Sequence, residues 1–407
     1  MTQGVPPLRP GHRLDLLEGS REMFPALVEA IDAARTEVRL ETYIFDFTGS
    51  GSEIAYALER AARRGVSVMV VVDGFGTAPL APDWEERFAQ TGVQWRVFAA
   101  PGRIGVLWPA NWSRMHRKLC LVDSQVAFCG GINILDDFHD PTYGRLEHPR
   151  FDFAMRVTGP LVEQVRATML RLWQRLEAAQ KLRQVQLGDV LGSLRAVRPG
   201  RRIPAAEASD AVDHPLAKAA LVLRDNVRNR GRIERAYRRA ISRARSEVII
   251  ANAYFVPGRK MRNALVRAAR RGVTVQILLQ GRYEYFMQYY AARPIYGTLL
   301  AAGVQIYEYA PSFLHAKVAV IDGEWSTVGS SNLDPLSLLL AREANVLVQD
   351  QAFSSALRGR LVQAMAHAGK RMDAQAYARR PLRQRIGEWA AFGVMRIALA
   401  LQGKKYL

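Results

Sequence analysis

The chain alternates, twice over, between stretches with apolar residues at helical spacing and short apolar runs. From Ala61 it reads AARRGVSVMVVVDG, and from Ala268 it reads AARRGVTVQILLQG. Each is the end of an Ala-rich helix, a glycine suited to a C-cap, and an apolar run long enough for a buried strand. Upstream of each lies a β-rich run behind another helical, Ala-bearing approach: RTEVRLETYIF from Arg35 and RSEVIIANAYF from Arg245. Downstream, GVQW at Gly92 is matched by GVQI at Gly303. The pattern predicts helix, strand, helix, strand and a closing strand pair, made twice, which favours an α/β sheet flanked by helices.

Equivalent residues stand 207 apart at Gly65 and Gly272, 211 apart at Gly92 and Gly303, and 199 apart at His116 and His315. The last drop puts twelve extra residues in the first copy just ahead of His116, within PGRIGVLWPANWSRM. Leu187 to Pro215 is rich in Gly, Pro and small polar residues and is the natural boundary. The expected organisation is therefore two pseudo-symmetric halves, residues 1–195 and 196–407, each a mixed β-sheet flanked by helices.

Composition changes this picture in one respect. With 407 residues, 49% of them hydrophobic and 23% charged, the chain has ample material for two globular cores. Its formal charge of +19, carried mostly by Arg, calls for an anionic partner: nucleic acid, anionic lipid or an acidic substrate. The two cysteines, Cys120 and Cys129, form neither a disulfide framework nor a zinc signature, and a reducing compartment is expected. The N-terminus has no apolar core of a signal peptide, and no window of 18 apolar residues suggests a membrane span. The C-terminal stretch 382–407 is different. It is apolar from Trp389 to Leu401 apart from Arg396, behind Arg379, Arg380, Arg383 and Arg385. Such a run suits a helix lying at a lipid surface, or a last helix packed on the body of the protein.

The chemistry sits in the repeated strand pair. Residues 116–133 read HRKLCLVDSQVAFCGGIN and residues 315–332 read HAKVAVIDGEWSTVGSSN. Alternation along a strand points His116 and Lys118 the same way, and likewise His315 and Lys317, with Cys120 deeper on that face as core. A turn and a returning strand then bring Gly130, Gly131 and Asn133, or Ser330 and Asn332, back beside each His and Lys. Glycine allows backbone to approach a ligand closely, and an Asn amide donates to an oxyanion. Two imidazoles, two ammonium groups and two amides suit a phosphodiester. The Lys and Asn side chains stabilise charge on the equatorial oxygens, one neutral imidazole attacks phosphorus, and a protonated one serves the leaving alkoxide. No HExxH, CxxC, P-loop or carboxylate cluster argues for a metal or a nucleotide cofactor. A carboxylate behind each His would fix its tautomer. The candidates are Glu343, 28 residues after His315, and Asp152 at the matching position of the first half. Asp123 and Asp322 complete the repeated motif, but parity places them on the opposite face, where they hold the turn or bind backbone.

This doubled constellation resembles the phospholipase D superfamily over nearly the whole chain. Within it, ETYIF at Glu41, ANAYFVPG at Ala251, RMHRKL at Arg114 and SFLHAKVAVIDGEWSTVGSSNLDPLSLLLAREANV at Ser312 look like the bacterial cardiolipin synthases of the shorter, type B kind. The resemblance implies two α/β halves sharing one active site and phosphatidyl transfer through a phosphohistidine without metal. By it, the motif residues His116, Lys118, Asp123, His315, Lys317 and Asp322 are the catalytic set, with His116 as nucleophile and His315 as acid/base. Phosphatidylglycerol is the implied donor, and a second lipid headgroup, that of phosphatidylethanolamine included, is the acceptor. Gly131 departs from the family pattern, which Ser330 keeps, so one hydroxyl to the phosphate is missing.

A lipid substrate gives the apolar segments a role. Leu107, Trp108 and Trp112 in the insert, with Trp389 and Phe392 in the tail, are candidates for a membrane-facing lip; the alternative is a packed loop and a packed helix. The expected location is peripheral, on the cytoplasmic side of a bacterial membrane. A nuclease of the same chemistry is the main competitor, but basic residues interleaved with aromatics for stacking bases are not evident. Lipid hydrolysis without transfer, and a non-catalytic binder of anionic lipid, complete the alternatives.

Overall fold

In the computed structural model, residues 4–99, 113–184, 216–225, 229–282, 286–334 and 341–401 are described. Seven strands of each half follow the same spatial order, and a short antiparallel strand, Gly369–Arg371, flanks the outermost of the seven in the second half. From the outer edge inward the first half runs Gln94–Phe98, Ser67–Asp73, Glu37–Thr42, Lys118–Val122, Val126–Gly130, Phe153–Thr158 and Arg9–Glu18. The second runs Gln305–Tyr309, Thr274–Gln280, Glu247–Asn252, Lys317–Ile321, Trp325–Gly329, Ala341–Gln349 and Ala217–Arg224. The three outer strands of each half are parallel and the inner ones antiparallel, so both sheets are mixed. The innermost strands pair with each other, His12 opposite Ala217, and join the halves into one path. The boundary expected at residue 195 and the residues Leu107, Trp108 and Trp112 lie outside the described residues.

The repeated AARRG runs end the helices Gly51–Arg63 and Arg259–Arg270, and Gly65 and Gly272 follow in the left-handed region at φ +86° and +89°. Alternation then divides each motif strand between two cores. Leu119, Leu121, Phe153 and Met155 of the first half meet Val318, Val320, Val328 and Val346 of the second in one shared core. Helices Leu161–Gln184 and Gln351–Ala368 close that core with Leu161, Val165, Leu357 and Leu361. The opposite faces pack outward: Cys120 and Val122 against Ile54 and Leu58, and Ala319 and Ile321 against Leu265 and Ala268. Burying an apolar side chain of this size contributes roughly 1.5–3 kcal/mol, so the shared core is a strong reason for the halves to stay face to face.

At the far end of each motif strand the aspartate turns the chain. Asp123 and Ser124, and Asp322 and Gly323, take positive φ, as tight hairpin turns require. The Asp123 carboxylate accepts the amides of Arg35, Thr36 and Glu37 and the Thr36 hydroxyl. Asp322 does the same for Arg245, Ser246 and Glu247. Backbone amides around each carboxylate outweigh the cost of its burial and hold both below the usual carboxylate range.

One feature of the first half has no counterpart in the second. Arg117, between His116 and Lys118 and facing the other way, is buried against Glu41, with Nη2 2.9 Å from Oε1 and a second contact through Nε. The equivalent positions of the second half are Ala316 and Ala251, both buried. Truncating Glu41→Ala leaves a buried guanidinium without its partner and should cost about 3–5 kcal/mol in denaturant unfolding. The double change Glu41→Ala, Arg117→Ala, which copies the second half, should recover a large part of that loss.

Candidate active site

His116 and His315 each stand just before a motif strand, and each is held by the other half. The His116 amide donates to the Arg342 carbonyl at 3.0 Å, and the His315 amide to the Phe151 carbonyl at 2.9 Å. The next residue of each borrowed segment supplies the carboxylate. Glu343 Oε2 lies 3.1 Å from His116 Nδ1, and Asp152 Oδ2 lies 2.6 Å from His315 Nδ1. The carboxylates are thus exchanged between halves, which spacing along the chain gives no way to see. The ring centroids are 6.5 Å apart at 60°, with both imidazoles mostly buried.

The remaining motif residues gather around this pair with some changes of role. Lys118 Nζ donates to the His116 carbonyl at 2.7 Å, and Lys317 Nζ donates to the His315 carbonyl; both lysines are buried. Asn133 and Asn332 are buried beside them, and Asn133 Oδ1 accepts the Ile44 amide, which leaves its NH2 end for a ligand. Ser330, expected to reach phosphate, instead donates to Glu343 Oε2 at 2.5 Å and accepts the Ala344 amide. Gly131 is bare for a related reason: a Cβ there would lie 2.4 Å from Asp152 Oδ1. At Gly130 the tight neighbour is Ala154 of the next strand, at 2.4 Å from a Cβ, so packing rather than phosphate approach excludes a side chain. Asp123 and Asp322 sit at the other end of their strands and do not join the imidazoles.

In the tail, helix Leu382–Leu401 turns Trp389 outward, 56% exposed, but buries Phe392 in the second-half core. Phe392 is therefore no part of a lip: it is the side chain by which the helix grips the body, with its ring edge-on to Trp389. Among the described residues, no three or more His, Cys, Asp or Glu side chains converge as a metal-ligand set.

Three residues near the site were not singled out from the sequence. The Tyr43 ring lies 4.9 Å from that of His116 and 5.3 Å from the Lys118 ammonium. Asp73 accepts the Met115 amide at 2.7 Å, and Gln280 Oε1 accepts the Leu314 amide at 3.3 Å. Each of these two fixes the residue just ahead of a histidine. Their signal was present, since they end the repeated runs VVVD and ILLQ, but a buried strand accounts for those runs equally well.

The two halves differ in electrostatics more than in shape. Burial lowers the pKa of His116, with the Glu343 charge opposing and Lys118 adding to the effect. Burial also drives His315 well below the ordinary imidazole range, reinforced by Lys317, Lys118 and His116. The carboxylates part company. Burial raises Glu343, but the His116 charge and hydrogen bond, Lys118 and Ser330 pull it below its usual value, so it is ionised. Asp152 is pushed by burial up to about 7 and keeps a proton into the neutral range. Burial brings Lys118 down to about 7. An ionised carboxylate only accepts, so Glu343 fixes the His116 proton on Nδ1 and leaves Nε2 with a lone pair. Below about pH 7 the Asp152 carboxyl therefore holds a proton that the Glu343 carboxylate lacks.

Known proteins resemble this chain in sequence and in fold. The family model described as "Cardiolipin synthase, PLD-like domain" matches residues 27–139 and 237–365. The chain is 38% identical over 353 residues to cardiolipin synthase B of Escherichia coli, covering 87% of this chain and 80% of that protein. Cardiolipin synthase A of Klebsiella pneumoniae is 28% identical over 382 residues, covering 93% of this chain and 74% of that protein. In fold, the chain matches the crystal structure of phosphatidylserine synthase from Haemophilus influenzae with a TM-score of 0.64 at 14% identity, over 97% of this chain and 95% of that one. With a family model across both halves and a relative this similar along most of its length, the chain belongs to the cardiolipin synthases of the phospholipase D-like family.

Proposed function

We propose that this enzyme makes cardiolipin from phosphatidylglycerol through a covalent phosphohistidine, without a metal. The observation that carries the reading is the pair of imidazoles, 6.5 Å apart, each backed by a carboxylate of the other half. His116 Nε2 attacks phosphorus, and the bond from phosphorus to the glycerol oxygen breaks. The Asp152–His315 pair gives its proton to that oxygen, and glycerol leaves. The glycerol hydroxyl of a second phosphatidylglycerol then enters from the same side. His315 takes its proton as the new P–O bond forms and the P–Nε2 bond breaks, which restores His116. Lys118, Lys317, Asn133 and Asn332 stabilise the charge on the equatorial oxygens. Asp123 and Asp322 act at a distance, by fixing the turns that aim the motif strands.

The same reading places the protein peripherally, at the cytoplasmic face of a bacterial membrane. Leu382, Ile386 and Trp389 are exposed at helical spacing on one face of the last helix, with Arg383 and Arg385 exposed on the same helix. An apolar stripe beside arginines suits an interface rich in anionic lipid. Among the described residues, no helix is long and apolar enough to cross a membrane. Cys120 and Cys129 are both free and buried, in keeping with a reducing compartment.

Purified protein incubated with labelled phosphatidylglycerol in mixed micelles should yield cardiolipin and glycerol by mass spectrometry, and the His116→Ala variant should yield neither. Phosphatidic acid as the sole product would replace transfer by hydrolysis; cardiolipin formed only after phosphatidylethanolamine is added would identify that lipid as co-substrate. The pH profile should be a bell. Activity should rise as pH passes the depressed pKa of His116, below 6.5, because the nucleophile must be neutral. It should fall above about 7, where Lys118 and the Asp152–His315 pair lose their protons. A flat profile from pH 5 to 9, with chemistry limiting the rate, would overturn the unlike-pair mechanism. Replacing Leu382, Ile386 and Trp389 together by Gln should weaken co-sedimentation with anionic vesicles roughly tenfold or more, with no loss of folding.

A further inference from the structure

The two halves of the site match residue for residue along the backbone, but their hydrogen-bonding groups do not. Thr42 and Asn252 end the equivalent central strands Glu37–Thr42 and Glu247–Asn252. In the first half, the Thr42 hydroxyl donates to the Ile44 carbonyl at 2.8 Å, and nothing is left over. In the second half, Asn252 Oδ1 accepts the Leu333 amide at 3.1 Å, while Nδ2 is buried with no hydrogen-bond acceptor among the described residues. Asn252 is 0% exposed.

Its position says what that NH2 group is for. Asn252 lies directly opposite Lys317 in the antiparallel pair, and directly opposed residues project from the same face of a sheet. The orphan donor therefore lies on the same face of the sheet as the Lys317 side chain, and its acceptor end is tied to Leu333, the residue after Asn332. The other equivalent pair repeats the contrast. Asp73 spends its carboxylate on the Met115 and Phe75 amides, whereas Gln280 spends Oε1 on the Leu314 and Arg282 amides and leaves Nε2 without an acceptor among the described residues. A buried donor without an acceptor is costly, and threonine at the equivalent place in the first half avoids that cost. Both unmatched donors belong to the half that carries His315.

We propose that Asn252 Nδ2 donates to a non-bridging phosphoryl oxygen of the substrate, beside Lys317, and is a catalytic residue outside the repeated motif. The donor breaks the pseudo-two-fold balance of the site. Phosphoryl oxygens are held more strongly from the second half, which fixes the side on which the phosphodiester binds. The proposal rests on the function above only in taking the substrate to be a phosphodiester.

The test is Asn252→Thr, which copies the first half and removes the amide donor. It should lower kcat/KM for phosphatidylglycerol, and for the generic diester bis(4-nitrophenyl) phosphate, about a hundred- to a thousandfold, the usual effect of deleting one oxyanion donor. Orthovanadate, a mimic of pentacoordinate phosphorus, should bind correspondingly more weakly by calorimetry, while the loss of the Leu333 acceptor lowers the melting temperature only slightly. A purely structural residue would give the reverse: a much lower melting temperature with unchanged vanadate affinity in the folded protein. That result, or wild-type kcat/KM in the variant, overturns the proposal. Should Asn252→Thr fail to fold, Asn252→Asp keeps the shape and the acceptor for Leu333, and its vanadate affinity gives the same reading. If the wild-type protein turns over the generic diester but not phosphatidylglycerol, the lipid assignment fails while the donor is still tested.

Discussion

An imidazole and a carboxylate meet twice at the centre of this molecule, each time across the junction between the halves. Arg342 and Phe151 hold the backbone of the opposite histidine, and the residue after each supplies the carboxylate to its ring. Neither half contains a complete pair. Much else follows from keeping those two contacts aligned. Glu343 lies in a strand registered against Arg224, so a one-residue slip would turn its carboxylate to the other face. The valines at 318, 320, 328 and 346, packed against Leu119, Leu121 and Phe153, set the register that forbids the slip. Core and chemistry are therefore one constraint seen at two depths.

On this near-symmetric frame the side chains are unlike, and the differences fit one another. The longer Glu343 comes with Ser330, whose hydroxyl shares its Oε2 with His116 and helps keep it ionised. The shorter Asp152 comes with Gly131, because its own oxygen fills the place of a side chain there. Desolvation, unopposed by a hydroxyl, then lets Asp152 keep its proton into the neutral range. A single methylene and a single hydroxyl thus separate a carboxylate held ionised from one that keeps its proton longer.

Much of the frame was legible in the sequence because it rests on local rules. The AARRG runs mark helix ends, and the two offsets of the repeat bracket the insert before His116. The parity of H-x-K puts Cys120 in the core and takes Asp123 and Asp322 away from the reacting groups, where they clasp backbone amides. What was illegible depends on contacts between distant segments. Nothing in the spacing of Asp152 or Glu343 says that each serves the other half's histidine. Ser330 and Gly131 take their roles from those same carboxylates. Phe392 reads as a lipid-facing aromatic until the helix carrying it is seen to dock through it. Asn252 ends a run that any buried strand would explain, and only its register against Lys317 gives it chemical meaning.

The two halves are parts of one chain, and the pairing of Arg9–Glu18 with Ala217–Arg224 joins their strands into one sheet. Had they been two copies of a single shorter chain, every substitution would appear on both sides of the dyad at once. Serine with Glu343 and glycine with Asp152 could not then stand side by side, because one neighbour and one carboxylate would serve both sites. Covalent linkage lifts that obligation, so each side of the site is free to change without its counterpart.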